Sequence, residues 1–94
     1  MTLLHVTNAA GWAAIQRGPA EPDGFWHLCT PEQLPFVLDR HFPDRSGLLV
    51  LHLDLAKLGE VRWEVSEPGM DPFPHLCAPL TMAAVAEVSR AESL

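Results

Sequence analysis

The sequence predicts an α+β fold, with two helices packed on a mixed or antiparallel β-sheet. Three observations lead there. Short apolar stretches that fit strands recur along the whole chain. Helical spacing of apolar residues is strong only twice, and both stretches fall in the first half of the chain. No regular strand–helix–strand alternation follows them, so a doubly wound parallel sheet is not expected. The 94 residues amount to one domain, 1–94. Folding a chain of this size buries a little over about 60% of its unfolded surface, enough for one core.

Each element has a local reason. Residues 3–6 form a short apolar run holding His5, which fits a first strand. Thr7 or Asn8 can cap a helix that follows, because either side-chain oxygen accepts a free backbone N–H. Trp12 and Ile15 share one face of that helix, and Gly18-Pro19 stops it. Residues 18–24 are rich in Gly and Pro and form a loop. Residues 25–29 read as a second strand, with Phe25, His27 and Cys29 on one face and Trp26 and Leu28 on the other. Thr30 and Gln33 form a capping box, and Pro31 takes the first position of a second helix. Leu34, Val37, Leu38, His41 and Phe42 continue it at helical spacing. Pro35 cannot donate to the carbonyl four residues back, so the first turn should be irregular.

Beyond a turn at 43–47, residues 48–53 are the most apolar strand and should be central in the sheet. Residues 61–65 alternate, which predicts Val61, Trp63 and Val65 inward and Arg62 and Glu64 on the opposite face. Residues 66–74 hold three prolines and a glycine and read as a stiff extended loop. A short extended piece at 75–77, a helical turn at 80–84 and a last strand at 84–90 complete the chain.

Composition removes several function classes. With 48% hydrophobic and 19% charged residues, long disorder is not expected. Twelve acids against six Lys and Arg give a formal net charge of -6, which disfavours a broad nucleic-acid-binding face. The N-terminal residues lack a signal-peptide pattern. No apolar run approaches the roughly 20 residues needed to cross a bilayer. Cys29 and Cys77 are too few for a disulfide scaffold. A cytoplasmic protein with reduced thiols and no membrane partner is expected, as a monomer or a homodimer.

The histidines carry most of the chemical interest. An imidazole and an aromatic ring on one strand face, as with His27 and Phe25, can hold a flat heterocycle between them. The plainer alternative is core packing for Phe25 and edge exposure for His27. His75 follows a proline-rich stretch that can hold it at a cleft rim, or it is a surface loop histidine. Arg62 can bind a pyrophosphate. Arg62 and Glu64 can equally form a solvated strand face. His-Leu-Cys occurs at both 27–29 and 75–77, and two such pairs together would offer a His₂Cys₂ zinc set. The spacing of two is atypical for that metal, and no metal is expected. His41 and His52 read as structural. No glycine-rich phosphate loop and no nucleophile turn is present.

Three segments together carry a family resemblance. They are Leu4-His5-Val6-Thr7 with Trp12, Gly24-Phe25-Trp26-His27-Leu28-Cys29-Thr30 with Gln33, and Phe73-Pro74-His75-Leu76-Cys77-Ala78-Pro79-Leu80. Arg62-Trp63-Glu64 fits the same pattern. Over almost the whole chain they resemble the bacterial domain of unknown function 952. That family is similar to the ADP-ribosyltransferase-like fold, a small split β-sheet with NAD in its cleft. The resemblance implies that His5, His27 and His75 converge on such a cleft. Residue chemistry and resemblance together make His5, Glu64 and His75 the catalytic candidates, and His5, Thr7, Phe25, His27 and Arg62 the candidate cofactor contacts. His5 with Thr7 would bind a ribose hydroxyl, and Glu64 would steady the oxocarbenium-like state of glycosidic cleavage or ADP-ribose transfer. The alternative is a non-catalytic module on the same fold, binding a small ligand or a protein.

Overall fold

The computed structural model describes residues 1–94. In chain order it contains β1 (Thr2–Thr7), α1 (Ala9–Gln16), β2 (Trp26–His27), α2 (Leu34–His41), β3 (Leu49–Asp54), β4 (Val61–Glu64), β5 (Phe73–Leu76) and β6 (Val85–Arg90). Short 3₁₀ turns lie at Leu55–Lys57, Met82–Ala84 and Ala91–Ser93. The fold is α+β, and the strands form two three-stranded sheets, β1-β3-β6 and β2-β5-β4. Every strand pair is antiparallel. The apolar β3 is the centre of its sheet, as its composition predicts. No helix is long and apolar enough to cross a membrane.

Strand alternation gives the first sheet two buried faces. Leu3, Leu51 and Leu53 pack with Ile15 of α1 and with Leu28, Leu76 and Leu80. Leu4 and Val50 point the other way and pack with Leu34 and Leu38 of α2. The two helices therefore cover opposite faces of one sheet. Burying each such leucine contributes about 1.5–3 kcal/mol.

The helix starts are built from local hydrogen bonds. Asn8 is the α1 cap, its Oδ1 accepting from Gly11 N at 2.8 Å. Thr7, the other cap candidate, sits against Gly11, where a Cβ would run into its Oγ1. Ahead of α2, Thr30 N donates to Gln33 Oε1 at 3.0 Å and Gln33 N donates to Thr30 Oγ1 at 3.2 Å. This capping box closes a tight turn first. The α-helix begins only at Leu34 with Gln33 as its cap, so Pro31 sits in the preceding turn rather than at the first helical position expected for it, and Pro35 falls where no intrahelical donor is required.

Two predicted elements change in the structure. The strand expected at 25–29 shrinks to Trp26–His27. Leu28 N donates to Pro74 O at 3.1 Å, but Pro74 has no N–H to return to the Leu28 carbonyl. The ladder stops there, and Cys29 instead exchanges backbone bonds with Leu4 of the first sheet, at 2.7 and 2.9 Å. That bridge joins the two sheets. In the 61–65 segment only Val61 packs on the core, while Trp63 is 43% and Val65 58% exposed. β4 is an edge strand, and the core reaches only its first residue.

Candidate functional site

β5 is the middle strand of the second sheet, so His75 has a neighbour on each side. Register pairs it with Arg62 of β4 and His27 of β2. Because Leu28 N bonds to Pro74 O, His27 and His75 form a non-hydrogen-bonded pair, the kind that brings side chains closest. Their rings meet edge to face at 5.6 Å. Phe25 stacks on His75 at 4.0 Å and 21°, and meets the edge of His27 at 4.8 Å. His75 is buried, and its Nδ1 donates to Glu64 Oε1 at 2.9 Å. That bond fixes the ring orientation and leaves Nε2 as the second functional nitrogen.

The same strand geometry explains His5. In the β2–β5 pair the His27 C=O turns away from β5, toward β1. Backbone pairing between β1 and the second sheet has ended at the Leu4–Cys29 bridge. His5 Nδ1 takes over, donating to His27 O at 2.8 Å. A carbonyl only accepts, so the proton sits on Nδ1 and Nε2 carries the lone pair of the neutral ring. The ring also packs edge to face on Trp26 at 5.3 Å.

Where the two sheets part, a cavity of about 520 Å³ opens. His5, His27 and His75 all line it. Leu4 and Val6 of β1 and Leu28 and Cys29 just after β2 supply apolar wall, and Phe36, Val37, Arg40 and His41 of α2 close it with the capping residue Phe42. Ser66, Glu67, Met70 and Phe73 complete the rim. Arg40 Nη2 and Glu67 Oε1 span the mouth at 3.0 Å. Gln33 Nε2 donates to Pro72 O at 3.0 Å and ties down the end of the 66–72 segment.

Burial lowers the pKa of His5, with the bond to His27 O acting against it and the charge of His27 adding to it. Burial also lowers that of His27, helped by His75 and His41. Both rings are held toward the neutral form, so they offer lone pairs to hydroxyl or amide donors. Burial pushes the Cys29 thiol up to about 12, which removes it as a thiolate.

The structure thus brings His5, His27 and His75 onto one cavity, whereas Phe25 stacks on His75 and meets the edge of His27 without lining the cavity itself. Glu64 does not line the cavity and reaches it only through His75. Thr7 lies outside, against Gly11. Arg62 shares the row of His75, but its guanidinium is exposed and bonds Glu60 at 2.6 Å. The two His-Leu-Cys repeats bring their histidines together but not a His₂Cys₂ set, because Cys29 bridges to Leu4 and joins the α2 core. No group of three or more His, Cys, Asp or Glu is placed to hold a metal ion. Both cysteines are free. Arg40 and Glu67 also line the cavity, as does His41, which the sequence suggests is structural. For the α2 residues a signal is present, since Phe36, Val37, Arg40 and His41 follow one another at helical spacing along one side of the helix.

Fold and site together define a small α+β domain whose two antiparallel sheets part around a histidine-lined hollow. The chain belongs to the family described as protein of unknown function (DUF952), whose model matches residues 5–88. Its fold is similar to the crystal structure of protein CC0527 from Caulobacter crescentus, with a TM-score of 0.79 at 29% identity, covering 95% of this chain and 84% of that one. The solution NMR structure of CC0527 matches with a TM-score of 0.79 at 30% identity, covering 95% and 83%. No curated protein matches the sequence.

Proposed function

We propose that this domain binds NAD or a related nucleotide, with the flat ring in the histidine-lined hollow. The observation that carries the reading is the convergence of His5, His27 and His75, from β1, β2 and β5, on one cavity of about 520 Å³. That volume lies within the roughly 300–1,000 Å³ of ordinary small-molecule sites. An apolar wall with few polar groups suits a heterocycle that stacks and is then oriented by hydrogen bonds. In this reading His27 packs against the ring, and His5 Nε2 accepts from a ribose hydroxyl. His75 Nε2 faces the sugar, with Glu64 holding the imidazole in place.

Binding is favoured over glycosidic cleavage because the Glu64 carboxylate is engaged by His75 and does not line the cavity. A charge that acts through an imidazole stabilises an oxocarbenium-like state less than one in direct contact. The second reading, ADP-ribose transfer or glycosidic cleavage, keeps Glu64 and His75 as its working pair.

Calorimetric titration with NAD, AMP and nicotinamide tests the proposal. Saturable binding by the wild type is expected, weakened about tenfold or more in His27→Ala, equivalent to about 1.4 kcal/mol. No heat and no thermal shift at millimolar ligand would overturn it. Nicotinamide release from NAD by wild type and Glu64→Ala separates the two readings. Equal background rates leave binding alone.

A further inference from the structure

We propose that Arg40 is the anion subsite of the cavity, and that Glu67 fills it as a built-in stand-in for a ligand phosphate. The proposal rests on the nucleotide-binding reading and adds where the phosphate goes. Arg40 is the one Lys or Arg among the residues lining the hollow. Arg62, the other candidate for a phosphate, is committed to Glu60 outside it. The Arg40 guanidinium is held in direction by the Phe36 ring, 5.9 Å from Cζ, and Phe36 in turn lies 6.2 Å from Phe73. An arginine steadied on an aromatic face keeps its fork of donors free for an oxyanion.

Only Nη2 is used by the chain, in the 3.0 Å bond to Glu67 Oε1. The rest of the fork has no protein acceptor. A phosphate can use two of its donors side by side and carries more charge than a carboxylate, so it is the better partner. The resident pair is half-exposed, at 52% and 53%, and such pairs are weak. Displacing Glu67 therefore takes little from the gain.

Glu67 can also leave without disturbing the cavity wall. Its turn is closed by Met70 N to Glu67 O at 3.2 Å, with Gly69 at φ 84°. The far end is fastened separately by Gln33 to Pro72. Arg40 lies in the last turn of α2, whose carbonyl end opposes an anion. The phosphate contribution should therefore be moderate, and removing Glu67 should visibly strengthen it.

The test compares AMP, adenosine and inorganic phosphate on the full chain by calorimetry, with Glu67→Gln and Arg40→Gln. Both positions are surface residues, and thermal melts verify that each variant folds. AMP should bind the wild type several-fold more tightly than adenosine. Glu67→Gln should tighten AMP about three- to tenfold and leave adenosine unchanged. Arg40→Gln should erase the preference for AMP. Equal binding of AMP and adenosine by the wild type, or no gain in Glu67→Gln, overturns the proposal while leaving the ring-binding reading intact. If neither nucleoside ligand binds, inorganic phosphate decides. Phosphate bound by Glu67→Gln but not by Arg40→Gln upholds the anion subsite and rejects the nucleotide reading. Phosphate bound by neither overturns both.

Discussion

In the second sheet, Leu76 of β5 lies between Trp26 and Val61, and one residue earlier His75 lies between His27 and Arg62. The first row packs into the main core. The second row faces the other way, and two of its three members line the cavity. Strand pleat is the whole cause, since successive side chains point to opposite faces. A three-stranded sheet thereby supplies half a core and the heart of a site without any extra element. The comparison also shows why register matters. A slip of one residue would send the imidazoles into the core and the leucine row into the hollow. Beyond the ladder itself, Cys77 N to Glu60 O at 2.7 Å and Leu28 N to Pro74 O at 3.1 Å help to pin it.

The sharpest way to break the comparison is to mutate each row at its centre. Leu76→Ala should cost about 2–5 kcal/mol in urea unfolding, because a fully buried leucine leaves a cavity. His75→Leu should cost no more than about 1.5 kcal/mol, since the half-exposed Glu64 is rehydrated when its partner is lost. Ligand affinity should respond in the opposite order, falling most in His75→Leu. Parallel losses of stability and affinity in both variants would mean that the rows do not divide the work.

A smaller effect is expected where the two sheets meet. His5→Ala removes the partner of the His27 carbonyl, an acceptor set between the sheets. The expected loss is about 1–3 kcal/mol by thermal or urea unfolding. A variant as stable as the wild type would show that water replaces the imidazole without penalty.

The smallest effect is pH-dependent. Burial holds His5 and His27 below the usual 6.5. As pH falls below that value, the unfolded chain takes up protons before the folded one and is favoured. Their contribution is complete above pH 6.5 and is lost as pH falls through the lower folded-state values. Tm should therefore decline on going from about pH 7.5 to about pH 5.5, and His5→Gln should flatten part of the decline. A Tm that rises with acidification over this range would contradict the assigned neutral imidazoles.

Much of this molecule is written in local sequence. The capping box at Thr30 and Gln33, the Asn8 cap and the apolar run around β3 each use interactions within a few residues, and each forms where its pattern lies. The shared face of Phe25 and His27 holds, since their rings meet at 4.8 Å, although His27 itself stays exposed on the edge strand β2. Face assignments fail at Trp63 and Val65, because alternation says which residues share a face but not whether anything covers it. The early end of β2 was hidden for a related reason. It depends on Pro74, almost fifty residues away, lacking a donor. Within the site, the three histidines were visible as residue types, but their meeting comes from the pairing of β2 with β5 and the bridge to β1. The Arg40–Glu67 pair joins residues 27 apart and leaves no local mark.

Imidazole nitrogen and carbon resonances, followed by NMR during titration with NAD, test the central claim most directly. His5, His27 and His75 should shift together along one saturation curve. His52, bonded to Ser89 at 2.9 Å in the first sheet, should stay fixed as an internal control. Shifts confined to one of the three, shifts that include His52 equally, or no shift at millimolar NAD would contradict a shared binding hollow.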